Sequence, residues 1–188
     1  MLTKLLRASA CLLVSTFSLA PALAGPYTED WASLAAHEEA PEWFADAKLG
    51  IYFHWGVYSV PAYGSEWYPY HMYRKTSDYF DHHKKTYGDQ SEFGYHQFVP
   101  LFKAENFNAE EWAKLFKKAG ARFAGPVAQH HDGFAMWNSK VNPWNAKDKG
   151  PKKDIVGLLG KAIKKETLTL ITTFHHARNL QRYKTEYE

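Results

Sequence analysis

Histidines and aromatic side chains, not cysteines, carry the chemistry that this 188-residue chain offers. The histidines sit at repeating places. His54 follows the apolar run Leu49–Phe53, His130-His131 closes the run that starts at Phe123, and His175-His176 closes Leu168–Phe174. A neutral imidazole offers one donor and one acceptor, so such a set suits either a metal ion or hydrogen bonding to hydroxyls and developing charge. Compact zinc spacings, such as H-E-x-x-H on a helix or paired cysteines, are absent. On an extended strand His130 and His131 point to opposite faces, which weighs against their ligating one ion together. The stretch Gly64-Ser65-Glu66-Trp67-Tyr68-Pro69 adds a carboxylate beside an indole.

These residues need elements to bring them together. The runs Leu49–Phe53, Arg122–Ala128 and Leu168–Phe174 read as strands, the first apolar throughout as in a strand buried on both faces. Asn108–Ala119 is the clearest helix, with Trp112, Leu115, Phe116 and Ala119 on one face. Asn108 caps it, Glu111 stands in the capping-box position, Lys117 and Lys118 complement its dipole, and Gly120 follows as C′. A second helix starts at Asp154 and turns Ile155, Leu158, Leu159, Ala162 and Ile163 inward, although Gly157 and Gly160 weaken it by about 1 kcal/mol each relative to alanine. A leading helix is expected between Tyr27 and Ala40, closed by Pro41. Residues 57–95 show little periodicity and read as a long aromatic loop, a kind of segment that is usually functional. Gly125-Pro126 inside a strand suggests a bulge or an irregular stretch just before the histidine pair. Strand, helix, strand, helix, strand without hairpin signals is the parallel β/α pattern, in which the strand C-termini share one face. The three histidine sites then converge.

Composition narrows the classes. Met1–Ala24 reads as a secretory signal peptide: Lys4 and Arg7, an apolar core from Ala8 to Ala20, and Ala22-Leu23-Ala24 before Gly25. That core is shorter than the roughly 20 apolar residues a membrane span needs, so no stable anchor is expected. The single cysteine, Cys11, lies within this segment, leaving residues 25–188 without disulfides or thiolate ligands. The expected location is secreted or periplasmic. The net charge of +3 falls to +1 when Lys4 and Arg7 leave, and the basic run Lys147–Lys153 is broken by Asp148, Gly150 and Pro151. It reads as a solvated loop, and no nucleic-acid partner is expected.

A sugar is the natural alternative to a metal. Aromatic faces pack on the apolar C–H side of a pyranose while polar groups take its hydroxyls. Trp55, Tyr58, Trp67, Tyr68, Phe134 and Trp137 flank the histidines in sequence, some of them serving the core, and Glu66 fits a hydroxyl ligand. The segments Trp43 to Gly56, Ser59-Val60-Pro61-Ala62, Glu66-Trp67-Tyr68, Ala119-Gly120-Ala121 and His130-His131-Asp132-Gly133-Phe134, with the loop Gly150–Asp154, together resemble the α-L-fucosidases of glycoside hydrolase family 29. The resemblance runs from about Trp43 to Phe174. It implies an α/β fold, the N-terminal part of a (β/α)8-like (TIM) barrel with about three of its eight strands, and retaining hydrolysis of terminal α-L-fucosyl residues without a metal or other cofactor. By motif, His54, Glu66, Trp67, His130 and His131 correspond to sugar contacts. His175 lies near another, in a looser pattern, and Asp132 reads as a loop-shaping residue. Gln129 stands where lysine is common in the family.

One departure matters. Retaining glycosidases use two carboxyl groups about 5 Å apart, one of them a nucleophile. In the family that aspartate lies on a later strand, and barrels of this type need about 250 residues. Residues 25–188 are therefore expected to be the N-terminal portion of a longer catalytic barrel, without a nucleophile and inactive alone; Glu66 is the loop carboxylate to weigh as acid/base. A non-catalytic fucose-binding relic and a metal-dependent barrel hydrolase are the alternatives. Linkage preference and oligomeric state have no sequence signature here.

Overall fold

The computed structural model describes residues 27–36 and 40–176. The expected signal peptide, Met1–Ala24, lies outside the described residues. Two compact units divide the chain, Met1–Pro41 and Glu42–Glu188. In the first, a short helix α1 (Trp31–Ala35) is capped by Asp30, whose carboxylate accepts from the Ser33 amide at 2.8 Å. It is shorter than the helix expected there.

The second unit carries the candidate site. Helix α2 (Glu42–Ala47) leads into β1 (Gly50–Phe53), then α3 (Tyr68–His71), α4 (Asp78–Tyr87), α5 (Ala109–Lys118), β2 (Phe123–Gln129), α6 (Ile155–Lys165), β3 (Thr169–Leu170) and β4 (Thr173–Phe174). The sheet is parallel, β1 beside β2 and both β3 and β4 on the other edge of β2. β3 and β4 are the two halves of the third expected strand. Sequential strands lie side by side, which is the order of a β/α barrel.

Alternation positions the side chains. Phe53 packs on α5, its ring 5.7 Å from Trp112 and 5.8 Å from Phe116. Tyr52 turns the other way and is 45% exposed. Among the described residues β1 pairs with β2 alone and is not buried on both faces as expected, whereas β2, with a neighbour on each side, is buried throughout its middle. Its pairing with β1 passes through Gly125 and Pro126 without a break. Gly125 meets a different demand: a Cβ at this position would lie 1.6 Å from the Ile171 carbonyl oxygen. The third strand is interrupted where its backbone crosses that glycine. The irregularity expected just before the histidine pair is the register shift between Val127 and Gln129.

α5 and α6 form as their caps predict. Asn108 accepts from the amides of Glu110 and Glu111, Asp154 from that of Gly157, and Gly120 takes a φ of 90° after α5. Residues 57–95 are not the loop expected. They hold α3, α4 with its Ser77 cap, and the 3-10 turn Val57–Ser59. Tyr68, Met72 and Tyr95 from this region are fully buried, as is Phe98 just beyond it. His83 is buried with them, accepting from the Tyr68 hydroxyl at Nδ1 (2.9 Å) and donating from Nε2 to the Phe93 carbonyl (2.8 Å).

Candidate functional site

The three strand ends converge. The His54 ring centroid lies 5.3 Å from those of His130 and His175, and His130 and His175 are 4.8 Å apart. His131 joins at 4.9 Å from His130 and 5.3 Å from His175. Opposite faces were expected for His130 and His131, but β2 ends at Gln129 and the chain turns at once, the Gly133 amide bonding back to the His130 carbonyl at 3.0 Å. A turn, unlike a strand, lets consecutive side chains share one side.

Trp67 closes the cluster from the loop before α3, its ring 5.4 Å from His130 and 4.8 Å from His131. Tyr58 lies 5.4 Å from His130. Tyr52 bonds His175 Nε2 at 2.9 Å and lies 3.5 Å from His54 Nε2. Glu66 makes its charge felt at the same place, opposing the shift of His175 and adding to those of Tyr52 and Tyr58. Asp132 is buried beneath the turn, where Oδ2 accepts from the Tyr95 hydroxyl at 2.8 Å and Oδ1 from the Phe134 amide at 3.2 Å. It shapes the loop.

His54, Trp67, His130 and His131 are therefore brought to one place, with His175 and Tyr52 as further members and Glu66 near enough for its charge to act on Tyr52, Tyr58 and His175. His175 carried a readable signal, a third strand ending in histidine. Tyr52 did too, at i−2 from His54, but inside an apolar run a tyrosine reads as strand filling. Of the other aromatics, Trp55 is packed among Phe102, Phe107 and Trp112, while Tyr68 and Phe134 are core residues. Trp137 packs on Phe174, 5.4 Å away.

Electrostatically the centre of the cluster is neutral. His130 is 3% exposed, and neither ring nitrogen has a hydrogen-bond partner among the described residues. Burial, reinforced by His175, His131 and His54, pushes it down to about 3. His175 is lowered by burial first and then by His54 and His131. Tyr58 is raised, chiefly by burial, and keeps its proton. Neutral imidazoles and a phenol can donate to and accept from hydroxyls, and Trp67 offers an apolar face. One nitrogen each of His54, His130 and His175 lies within 4.8 Å of the others, a set that could also hold a metal ion.

The sequence profile of the family described as alpha-L-fucosidase matches residues 15–188. The chain belongs to the alpha-L-fucosidase family. The tissue alpha-L-fucosidase of Rattus norvegicus is 46% identical over 144 residues, which are 76% of this chain and 30% of that protein. The human tissue alpha-L-fucosidase is 41% identical, covering 79% of this chain and 33% of its own length. Among solved structures, the alpha-fucosidase of Thermotoga maritima in complex with fucose superposes with a TM-score of 0.72 at 42% identity, over 79% of this chain and 37% of that one. The chain thus spans about a third of the length of the family members it matches, and its parallel sheet corresponds to part of their barrel.

Proposed function

We propose that this chain forms the fucose-binding wall of an alpha-L-fucosidase that hydrolyses terminal α-L-fucosyl residues of glycans with retention of configuration. In this reading His54, His130, His131 and Glu66 take the sugar hydroxyls, and Trp67 covers an apolar face of the ring. The observation that carries it is His130: a buried imidazole with two unpartnered nitrogens. Leaving a buried polar atom unsatisfied costs about 1–3 kcal/mol, a cost that a hydroxyl-rich ligand removes when it binds. The family's relatives that carry the name of the activity support the same reading.

Asp132 is engaged with Tyr95 and Phe134, and Glu66, whose charge reaches the cluster, is read as a hydroxyl ligand, so neither is assigned as the nucleophile. We assign residues 25–188 to the N-terminal part of the catalytic barrel, with the covalent step supplied by further barrel strands. Glu66 remains the carboxylate to test as acid/base. The substrate is a fucoside or fucosylated glycan, with no metal or other cofactor, no nucleic acid and no membrane anchor. No helix among the described residues is long and apolar enough to cross a membrane. Export after cleavage at Ala24 completes the proposal.

Titration of the protein with L-fucose, followed by tryptophan fluorescence and calorimetry, tests the binding half. Saturable binding that D-glucose does not match is expected, and its absence sinks the reading. Turnover of a chromogenic α-L-fucoside tests the other half: binding without any turnover by the full-length protein identifies the non-catalytic relic instead.

A further inference from the structure

We propose that the same pocket is a trap for a transition-metal dication: His54, His130 and His175 form a three-imidazole site for an ion of the zinc and copper class, and the bound ion excludes the sugar. The metal site stands on geometry; its competition with sugar also rests on the function proposed above.

Three elements each contribute one ligand. β1, β2 and the third strand deliver His54, His130 and His175, whose nearest suitable nitrogens lie within 4.8 Å of one another. In a tetrahedral site with Zn–N near 2.1 Å, ligand nitrogens stand about 3.4 Å apart, so each pair closes by about 1.4 Å or less. The burial of the three residues allows that movement. His130 is buried and fixed, while His54 and His175 are half-buried and follow strand ends. The second observation is again His130, buried at the centre with both nitrogens unpartnered. The Tyr52 hydroxyl, 2.9 Å from His175 Nε2, completes the arrangement. When Nε2–H donates to that oxygen, Nδ1 carries the lone pair, and such outer partners are what commonly orient ligating imidazoles.

The donor set decides which ion enters. Imidazole suits zinc, copper and nickel, whereas magnesium and calcium seek oxygen. Three protein ligands leave a fourth position open to water. Nitrogens committed to an ion cannot also bond sugar hydroxyls, so the two ligands are mutually exclusive.

Calorimetry on metal-free protein tests this with zinc sulfate, magnesium sulfate and L-fucose, each alone and then zinc in the presence of fucose. One zinc per chain is expected, with no heat from magnesium and an apparent zinc affinity that falls as fucose saturates. His54→Phe and His175→Phe should each weaken zinc at least ten-fold with an unchanged melting temperature. His82→Asn, a histidine stacked on Tyr63 at 3.7 Å, should not. His54→Asn and His175→Gln, which keep polar groups, should lose zinc as fully. Zinc binding that survives the cluster variants, or that is indifferent to fucose when fucose itself binds, overturns the proposal. Fucose binding without zinc binding also overturns it and leaves the sugar reading intact; zinc without fucose does the reverse.

Discussion

His130 and Trp67 touch, their ring centroids 5.4 Å apart, but they arrive by different routes. His130 is placed by the sheet. It follows the central strand by one residue, and its neighbours His54 and His175 are set by the ladders on either side. Trp67 is placed by the residue after it: Tyr68 is fully buried and bonded to His83, so the indole is held at the surface of a small aromatic core. The strand wall gains fixed spacing and accepts a buried imidazole with unused nitrogens. The α3 wall leaves its working residue half-exposed, where changing it disturbs little else. Position by ladder and position by anchor therefore separate function from stability to different degrees.

Breaking the ladder should have the largest effect. Gly125→Ala pushes a Cβ into the Ile171 carbonyl, so about 3 kcal/mol of stability should go. Urea melts report that loss, and a change below about 0.5 kcal/mol would remove the close approach from the account of the strand wall. Trp67→Ala attacks the other wall. Fucose affinity should weaken roughly thirty-fold, about 2 kcal/mol, while the unfolding free energy stays within about 0.5 kcal/mol. An equal loss of stability would show that the two walls are not built differently after all.

His130→Phe sharpens the contrast because function and stability should move in opposite directions. Removing the unpartnered nitrogens stabilises by about 1 kcal/mol and abolishes measurable sugar binding. The same variant should alter the acid limb. The folded-state value of about 3 lies below the unfolded value, so on acidification the unfolded chain takes up the proton first. The stability from this group is complete above about pH 6.5 and is lost as pH falls toward about 3, by up to about 1.4 kcal/mol per unit. Denaturation midpoints from pH 7.5 to 4.5 should fall less steeply in the variant; parallel slopes would mean that His130 is not held neutral by burial. Smallest is Tyr52→Phe, which removes the bond to His175 and should cost about 1 kcal/mol in fucose binding with no change in fold. No change in affinity would take Tyr52 off the strand wall.

Strand and helix order, both main caps and the convergence of the histidines were legible because period and cap chemistry are local properties. Residues 57–95 were not. The inward positions of α4 are Tyr79, His83 and Tyr87, aromatic or polar enough to hide a helical stripe, although Ser77, the acidic first turn, Lys84-Lys85 and Gly88 mark its ends. Which aromatics serve the core was equally hidden, since Trp55 and Trp67 differ only in what lies near them in space. Tyr52 needed the fold to reveal it. Its partner His175 is 123 residues away.

The register shift between Val127 and Gln129 has a consequence for tolerance of error. With Phe174 opposite Gln129, the ladder sets His175 beside His130, while the His176 ring lies against Phe174, 5.5 Å away. Had the earlier pairing continued, His176 would stand beside His130 instead. Because positions 175 and 176 are both histidine, either alignment delivers an imidazole to the cluster. The doublet is a spare: a one-residue misalignment of this strand, ordinarily enough to replace every side chain on a face, leaves the chemistry of that corner unchanged.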